Sequence, residues 1–193
     1  MDLKFAPRSP IKRGELEARR SSGELPGRAI VALGTNLPFL GLSGPALIAA
    51  AIAALEEAGL IVLARSSPWA SRAWPPSDQP DFANAVIAVG PGGRSPQALL
   101  TLLFEVETRF GRKRAGEARW AARTLDLDLI DYGGAVVDKP GLILPHPRAH
   151  QRAFVLAPLA EAAPGWRHPV LEKTAAELLA ALPADGEGLR KLT

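Results

Sequence analysis

The 193-residue chain contains no cysteine. It therefore has no disulfide framework, no thiol nucleophile and no thiolate metal site, and its composition suits a reducing cytoplasm. It also lacks an apolar run of about 18 residues, the length that a membrane-spanning helix requires, and its first residues show no apolar signal-peptide core. We therefore expect a cytoplasmic protein without a membrane partner.

An excess of positive charge is missing from most of the chain. The net charge is +3, and residues 1–28 account for it with seven basic and four acidic side chains. The folded part is thus neutral overall, and we expect no nucleic-acid partner. Residues 1–27 mix charge, Ser, Gly and Pro without an apolar period, which predicts a disordered basic extension before one domain over 28–193. A partner contact, or a lid over the site, is the alternative for the extension.

Apolar periodicity and turn residues predict alternating strands and helices. Strands are predicted over 29–33, 60–70, 82–89 and 124–133, and helices over 45–58, 96–110, 153–163 and 174–182. Pro45 and Pro96 suit the first turn of a helix, Ser95 suits an N-cap, and Pro158 is expected to interrupt or offset its helix. The order β-α-β-β-α-β predicts an α+β, ferredoxin-like sandwich with a mainly antiparallel sheet and helices on both faces.

Two aspartates interrupt a leucine-rich strand, TLDLDLIDYG. The side-chain period of two places Asp126 and Asp128 on one face and the intervening leucines in the core. Neighbouring carboxylates repel each other, and a hard divalent cation such as Mg²⁺ relieves that repulsion. Asp131 has the opposite parity, so we expect it to face away from the pair and assign it no metal role. The alternative is a polar, solvent-exposed face of an amphipathic strand.

A basic segment directly precedes this strand. Six cationic residues fall within residues 109–123, namely Arg109, Arg112, Lys113, Arg114, Arg119 and Arg123. Arginines supply paired donors for phosphate oxygens, and the indole of Trp120 can cover a base or a pterin. Carboxylates beside arginines favour phosphoryl or pyrophosphoryl transfer, with a solvated charge run as the alternative. Neither a Walker sequence nor a protein-kinase glycine loop occurs, which excludes ordinary P-loop and protein-kinase phosphotransferases.

Five sequence blocks occur in an order typical of one enzyme family. They are VALGTNL, DQPDFANAV, EVETRFGRKR, RWAARTLDLDLIDYG and LPHPRAHQRAFVLAPLAEAAP. With these blocks the chain resembles the 6-hydroxymethyl-7,8-dihydropterin pyrophosphokinases of folate biosynthesis. The resemblance implies transfer of pyrophosphate from ATP to the pterin hydroxymethyl group, with AMP as the second product. It also implies a monomeric ferredoxin-like α/β/α sandwich with small-molecule substrates and two Mg²⁺ ions bridging ATP and pterin.

The same resemblance implies roles for individual residues. The catalytic group is Arg112, Arg114, Arg123, Asp126 and Asp128. The aspartates of that group also hold the metal. The ATP-binding positions are Glu107, Trp120, Leu129, His146 and Arg152. The pterin-binding positions are Ser71, Arg72, Trp74, Phe82, Asn84 and Phe154.

Ordinary structural roles stay open for several of these residues. Phe82 and Phe154 stack on the pterin in the family, and Asn84 bonds its edge, as the chemistry of rings and amides allows. The alternatives are core packing for the two phenylalanines and a backbone contact for Asn84. His146 can equally be a surface histidine, and the loop at residues 34–36 is expected to be structural.

Two other functions fit parts of the pattern. A metal-dependent phosphoesterase or nuclease would use the aspartate pair but would not need the pterin-binding residues. A non-catalytic RNA-binding module would need a basic, aromatic sheet face, whereas the strand FANAVIAV offers only Phe82. AMP formation from ATP that depends on the pterin separates these functions from the pyrophosphokinase.

Overall fold

One antiparallel sheet organises the protein. The structure, a computed structural model, describes residues 27–73, 76–113, 121–183 and 188–192. Its strands are β1 (Ala29–Thr35), β2 (Ile61–Arg65), β3 (Trp69–Ser71), β4 (Phe82–Gly90), β5 (Asp126–Tyr132), β6 (Val137–Lys139), β7 (Leu142–Leu144) and β8 (Arg190–Lys191). The main sheet has the order β5-β1-β4-β3-β8, and β2 also pairs with β4, whereas β6 and β7 form a separate hairpin.

Helices cover both faces of this sheet. They are α1 (Gly44–Glu57), α2 (Pro96–Arg109), α3 (Ala153–Ala162) and α4 (Ala175–Ala180). On one face α1 and α2 bury Leu55 and Leu103 against strand residues such as Leu33. On the other face α3 packs Leu156 against Ile30. This arrangement confirms the predicted ferredoxin-like α/β/α sandwich.

The local signals at the helix ends act as predicted. The Ser95 side chain accepts a hydrogen bond from the Ala98 N–H at 3.2 Å and caps α2, and Pro96 is the first residue of that helix. Pro45 lies in the first turn of α1. Gly59 follows α1 with a φ of 86°, a left-handed conformation that favours glycine.

Two predicted elements differ from the structure. The single strand predicted over 60–70 is divided into β2 and β3, because Ser66 turns inward and its Oγ accepts from the Val86 N–H at 3.0 Å. Pro68 lacks an N–H and cannot continue the ladder. Conversely, α3 runs unbroken through Pro158, since burial of Leu156 and Leu159 outweighs one lost helical hydrogen bond.

Other predictions concern parts of the chain outside these elements. The predicted extension, residues 1–27, lies outside the described residues except for Gly27. Among the described helices, none combines the length and the apolar character that crossing a bilayer demands. The hairpin β6–β7 and the short strand β8 were not predicted from the sequence pattern.

Candidate functional site

The register of three strands assembles the site around Gly34. Gly34 on β1 is paired with Asn84 on β4 and with Asp126 on β5. Paired residues of antiparallel strands share a face, so the amide and the carboxylate lie on the same face, two strand spacings or about 10 Å apart. Since Gly34 has no side chain, the floor between them stays open. This is the face on which α3 packs.

A first cavity, here called the sheet cavity, opens on this floor. It has a volume of about 230 Å³. Its wall contains five of the predicted pterin-binding residues, namely Ser71, Arg72, Phe82, Asn84 and Phe154. The structure therefore brings together residues from β3, β4 and α3 that are up to 83 positions apart in sequence, which supports the grouping derived from the resemblance.

Hydrogen bonds within the sheet fix the polar wall of the sheet cavity. Asn84 is buried, and its Nδ2 donates to the Ser71 Oγ at 3.0 Å and to the Trp69 carbonyl at 3.4 Å. The backbone contact that was the simpler role for Asn84 thus exists alongside its position in the cavity wall. Because β3 and β4 carry both partners, the amide orientation is set by strand register.

A second cavity, here called the hairpin cavity, lies on the outer side of β5. It has a volume of about 460 Å³. Its lining includes Leu129 on β5, Leu142 and Ile143 on β7, and His146 just after that strand. Leu129 and His146 were predicted as ATP-binding residues, and the hairpin that completes the cavity was not predicted. A cavity with one apolar wall and one charged wall can accommodate a flat base and a polar tail.

The two cavities meet at the aspartate pair. Asp126, Asp128, Arg123, Arg148 and Arg152 line both of them. A molecule in either cavity therefore reaches the same two carboxylates and the same three guanidinium groups. Arg148 was not predicted, although it stands two residues after His146 in the quoted block LPHPRAHQR.

Asp126 is held by two arginines. Arg112 contacts the Asp126 Oδ1, and the Arg123 Nη1 contacts the Asp126 Oδ2 at 2.6 Å. Arg112 also pairs with Glu107, whose side chain is only 1% exposed. Although burial lowers the pKa of Arg112, Asp126 and Glu107 raise it above the ordinary value overall. Arg112 therefore remains a fixed cation between two acids.

Glu107 acts behind the cavities rather than in their walls. Its Oε1 accepts a hydrogen bond from the Leu127 N–H at 2.7 Å. Because β5 is an edge strand, this carboxylate satisfies a backbone group that no neighbouring strand reaches. Glu107, which was predicted to bind ATP, thus holds both β5, the strand that carries the two aspartates, and the Arg112 side chain.

Asp128 lies beside one imidazole and one guanidinium group. The His146 Nε2 is 3.9 Å and the Arg152 Nη1 is 3.8 Å from the Asp128 Oδ2. Burial and the neighbouring Asp126 carboxylate raise the pKa of Asp128 to about 7. Two carboxylates on one face therefore repel each other here, as the sequence predicts.

His146 is a neutral donor in this environment. Burial and the Arg152 cation lower the pKa of His146 to about 4. Its Nδ1 accepts a hydrogen bond from the Arg148 N–H at 3.2 Å, which leaves the ring proton on Nε2. The imidazole can therefore donate from Nε2 into the hairpin cavity without carrying a charge.

The prediction for the orientation of Asp131 is wrong. A β-bulge shifts the register of β5 at Ile130, so that Asp131 pairs with Ile30 while Asp128 pairs with Ala32. Ile30 and Ala32 share a face, and Asp131 therefore lies on the same face as Asp128. It is nevertheless outside both cavity linings, and its Oδ2 accepts from the Gly134 N–H at 3.2 Å.

Asn36 ties together the loops that border the sheet cavity. Its Oδ1 accepts from the Arg123 N–H at 2.7 Å, and its Nδ2 donates to Gln79 and to the Pro80 carbonyl at 3.2 and 3.3 Å. The structural role expected for residues 34–36 thus includes holding Arg123 near Asp126. The sequence alone does not show this role, because Asn36 and Arg123 are 87 residues apart.

Three predicted site residues lie outside the described residues, namely Trp74, Arg114 and Trp120. Within the part of the chain that the structure describes, no group of three or more His, Asp or Glu side chains is arranged to hold a metal ion. A metal at Asp126 and Asp128 would consequently take its remaining ligands from water and substrate.

Comparisons with known proteins show the family of the chain. The family model described as 7,8-dihydro-6-hydroxymethylpterin-pyrophosphokinase matches residues 30–164. A 2-amino-4-hydroxy-6-hydroxymethyldihydropteridine pyrophosphokinase of Synechocystis sp. is 42% identical over 154 residues, covering 78% of this chain and 74% of that protein. The enzyme of the same name from Pseudomonas aeruginosa is 41% identical over 160 residues, covering 82% of this chain and 94% of that protein.

Solved structures give the same fold. The wild-type HPPK-DHPS of Plasmodium falciparum superposes with a TM-score of 0.58 and 13% identity, covering 80% of this chain and 44% of that one. Its complex with pteroate gives a TM-score of 0.59. The chain spans less than half the length of these longer proteins, and the likeness establishes the fold alone.

Proposed function

Because the chain belongs to the 7,8-dihydro-6-hydroxymethylpterin-pyrophosphokinase family, we propose that it transfers pyrophosphate from ATP to 6-hydroxymethyl-7,8-dihydropterin. The products are AMP and the pterin diphosphate, as in folate biosynthesis. One observation carries the proposal: two cavities of different character meet at Asp126 and Asp128. A transferase needs such a junction, because donor and acceptor must meet at the group that moves.

The sheet cavity is the proposed pterin site. Phe82 and Phe154 contribute rings to its wall, and Asn84 contributes an amide with both donor and acceptor. A flat bicycle stacks favourably on aromatic rings, and an amide complements the alternating donors and acceptors of a pterin edge. Ser71 at the end of β3 and Arg72 directly after it border the same space. The hydroxymethyl group then points along the floor at Gly34 toward the aspartates.

The hairpin cavity is the proposed ATP site. Leu129 and Ile143 offer apolar surface for the adenine, and the neutral His146 donates to a phosphate oxygen. Arg112 and Arg123 provide paired donors and positive charge for the triphosphate. The proposed roles of Arg114 in phosphate binding and of Trp120 in sealing the site rest on the family resemblance.

The aspartate pair fits a site for Mg²⁺. Asp126 and Asp128 share a face at the junction of the cavities, and their repulsion favours a bound cation. Mg²⁺ commonly takes one or two carboxylates and completes its coordination with phosphate oxygens and water. We propose that these two side chains hold two Mg²⁺ ions together with ATP. The metal supplies charge neutralisation on the phosphates.

The reaction is a displacement at the β-phosphorus. The pterin hydroxyl oxygen forms a bond to that phosphorus, the hydroxyl proton is released, and the bond to the α,β-bridging oxygen breaks. AMP leaves with the bridging oxygen. Arg123 and Arg152, which line both cavities, stabilise the charge that shifts between donor and acceptor.

Formation of AMP in the presence and absence of 6-hydroxymethyl-7,8-dihydropterin tests the proposal. We expect AMP only when ATP, Mg²⁺ and the pterin are all present, and chelation with EDTA should abolish it. Absence of AMP under these conditions would contradict the proposed function. Release of inorganic phosphate without pterin, or cleavage of nucleic acid, would instead support the phosphoesterase or nuclease alternative, whereas the named relatives are pyrophosphokinases.

We further propose that the chain works as a monomer in the cytoplasm, where ATP is available. A single chain supplies residues to both cavities and to their junction, so a second copy is not needed to complete the described site. Light scattering coupled to size exclusion checks this, and a stable dimer would contradict it.

A further inference from the structure

The short strand β8 forms one edge of the main sheet, next to the sheet cavity. β8 pairs antiparallel with β3, with Lys191 opposite Trp69 and Arg190 opposite Ala70. The Leu192 N–H extends this pairing and donates to the Pro68 carbonyl at 2.8 Å. The strand lies beyond residues 30–164, to which the family model extends. We call residues 188–192 the C-terminal strap.

The strap converts β3 from an edge strand into an internal one. β3 has only three residues and lies between β4 and β8 in the sheet. It ends at Ser71, whose Oγ accepts from the buried Asn84 amide at 3.0 Å. Any displacement of β3 therefore reaches the polar wall of the sheet cavity directly. A three-residue edge strand has few backbone bonds to resist such displacement.

One side chain of the strap, Lys191, binds helix α3 and strand β3. The Lys191 Nζ lies 3.3 Å from a Glu161 carboxylate oxygen on α3 and 5.8 Å from the centroid of the Trp69 ring. Glu161 also accepts from the Trp69 indole at 3.2 Å and from the Ser67 N–H at 2.9 Å. Helix α3, the β2–β3 turn and the strap thus converge on one carboxylate.

The other side of the strap reaches the loop before β4. The Arg190 guanidinium contacts the Asp81 Oδ2 through both Nη atoms at 3.1 Å. Asp81 immediately precedes Phe82, one of the rings in the sheet-cavity wall. Gly188 lies against Arg72, whose side chain would be 3.1 Å from a Cβ at that position. The strap therefore borders three parts of the cavity wall without entering it.

We propose that the C-terminal strap is a positioning element that sets the affinity for the pterin and not for ATP. This inference rests on the proposed function, since it presumes that the sheet cavity holds the pterin. Its contacts reach Ser71 and Phe82 through their neighbours and Arg72 directly. By contrast, the elements that line only the hairpin cavity are α2, β7 and Leu129 of β5. Loosening the strap misplaces one substrate and leaves the other in place.

The first test uses the full chain with Leu192→Pro, which removes the N–H that bonds Pro68. The matched control is Leu192→Val, which keeps that N–H. We expect Leu192→Pro to raise the KM for the pterin about fivefold with the KM for ATP unchanged, and to increase deuterium uptake of residues 66–73. The control should behave like the wild type. An unchanged pterin KM despite faster exchange, or equal rises of both KM values, would overturn the proposal.

A second pair of variants covers the case in which Leu192→Pro does not fold. Arg190→Glu places two acids together at Asp81 and should raise the pterin KM, and Arg190→Glu combined with Asp81→Arg should restore it. An unchanged pterin KM in Arg190→Glu, or a raised KM that the double variant does not restore, would overturn the role of this contact. Wild-type AMP formation is measured first. Its absence contradicts the proposed function, whereas an active wild type with insensitive variants contradicts only the strap.

Discussion

The two cavities share one pair of aspartates but are held in different ways. The sheet cavity is fixed by strand register, with Gly34, Asn84 and Ser71 placed by backbone pairing and one amide–hydroxyl bond. The hairpin cavity depends on ionised side chains, since Arg112 connects Asp126 to a buried Glu107. Backbone register tolerates changes of single side chains, whereas an ion network loses stability when the change leaves a buried charge unpaired.

The largest loss of activity is expected from substitutions at the junction of the two cavities. Asp126→Ala and Asp128→Ala should each lower kcat by about 10³-fold or more, because both substrates need the same carboxylates and the charge balance there changes. Circular dichroism should show an intact fold. Asp138→Ala, on the exposed hairpin, is the control and should keep the wild-type rate. Near-normal rates for both junction variants would refute their role in metal binding.

The ion network should carry stability on the hairpin side. Arg112→Ala leaves the Glu107 carboxylate buried with one charge partner fewer, and we expect the free energy of unfolding to fall by about 3 kcal/mol. The same change at Arg123 removes a more exposed partner of Asp126 and should cost under about 1 kcal/mol. Urea unfolding measures both.

A variant that also removes the buried Glu107 charge is the control for the Arg112→Ala measurement. Combining Arg112→Ala with Glu107→Gln should recover part of the lost stability, since the glutamine carbonyl can still accept from the Leu127 N–H. Equal destabilisation by Arg112→Ala and Arg123→Ala would show that the network is not the feature that holds this cavity.

The sheet side should respond through substrate affinity. Asn84→Ala removes the amide from the cavity wall, and we expect the KM for the pterin to rise about tenfold with the KM for ATP unchanged. Ser71→Ala keeps the amide but removes its partner at 3.0 Å, so a smaller rise is expected. Equal effects of Asn84→Ala on both KM values would contradict the assignment of the pterin to the sheet cavity.

Periodicity predicted the parts of the molecule that depend on local repetition. The period of two placed Asp126 and Asp128 together and buried Leu127 between them, as the structure shows. It failed at Asp131, because a bulge at Ile130 changes the parity and leaves no local signal in the sequence. The division of β2 from β3 likewise depends on where the Ser66 side chain finds a partner.

Periodicity does not predict contacts between segments that are distant in sequence. The family resemblance grouped Phe82, Asn84 and Phe154, and the structure places these three residues in one cavity wall. The partners of Asn36 and Arg190 were not predicted, since they are 43 or more residues away and depend on sheet order. A signal for such residues appears only once the register of the strands is known.

A modest effect is expected at Glu161, where the strap, α3 and β3 meet. Burial opposes its ionisation, but hydrogen bonds from Ser67, Trp69 and Lys191 lower the pKa of Glu161 to about 2, below the ordinary 4.5. The unfolded chain therefore binds a proton at higher pH than the folded one. The stabilisation is complete above about pH 5 and is lost as the pH falls through 4.5 toward 2. Glu161→Gln should accordingly reduce the free energy of unfolding by about 1 kcal/mol at pH 7, with the difference shrinking toward pH 3.

Urea unfolding of wild type and variant between pH 7 and 3 measures that difference. Glu56→Gln, on the exposed side of α1, is the matched control and should change the free energy of unfolding little. A Glu161→Gln difference independent of pH would mean that the side chain acts by packing rather than by charge. A difference that shrinks with acidification would instead show that the carboxylate itself holds α3, β3 and β8 together. The strands around the sheet cavity would then depend on an ionised side chain as well as on strand register. In that respect the sheet cavity would resemble the hairpin cavity.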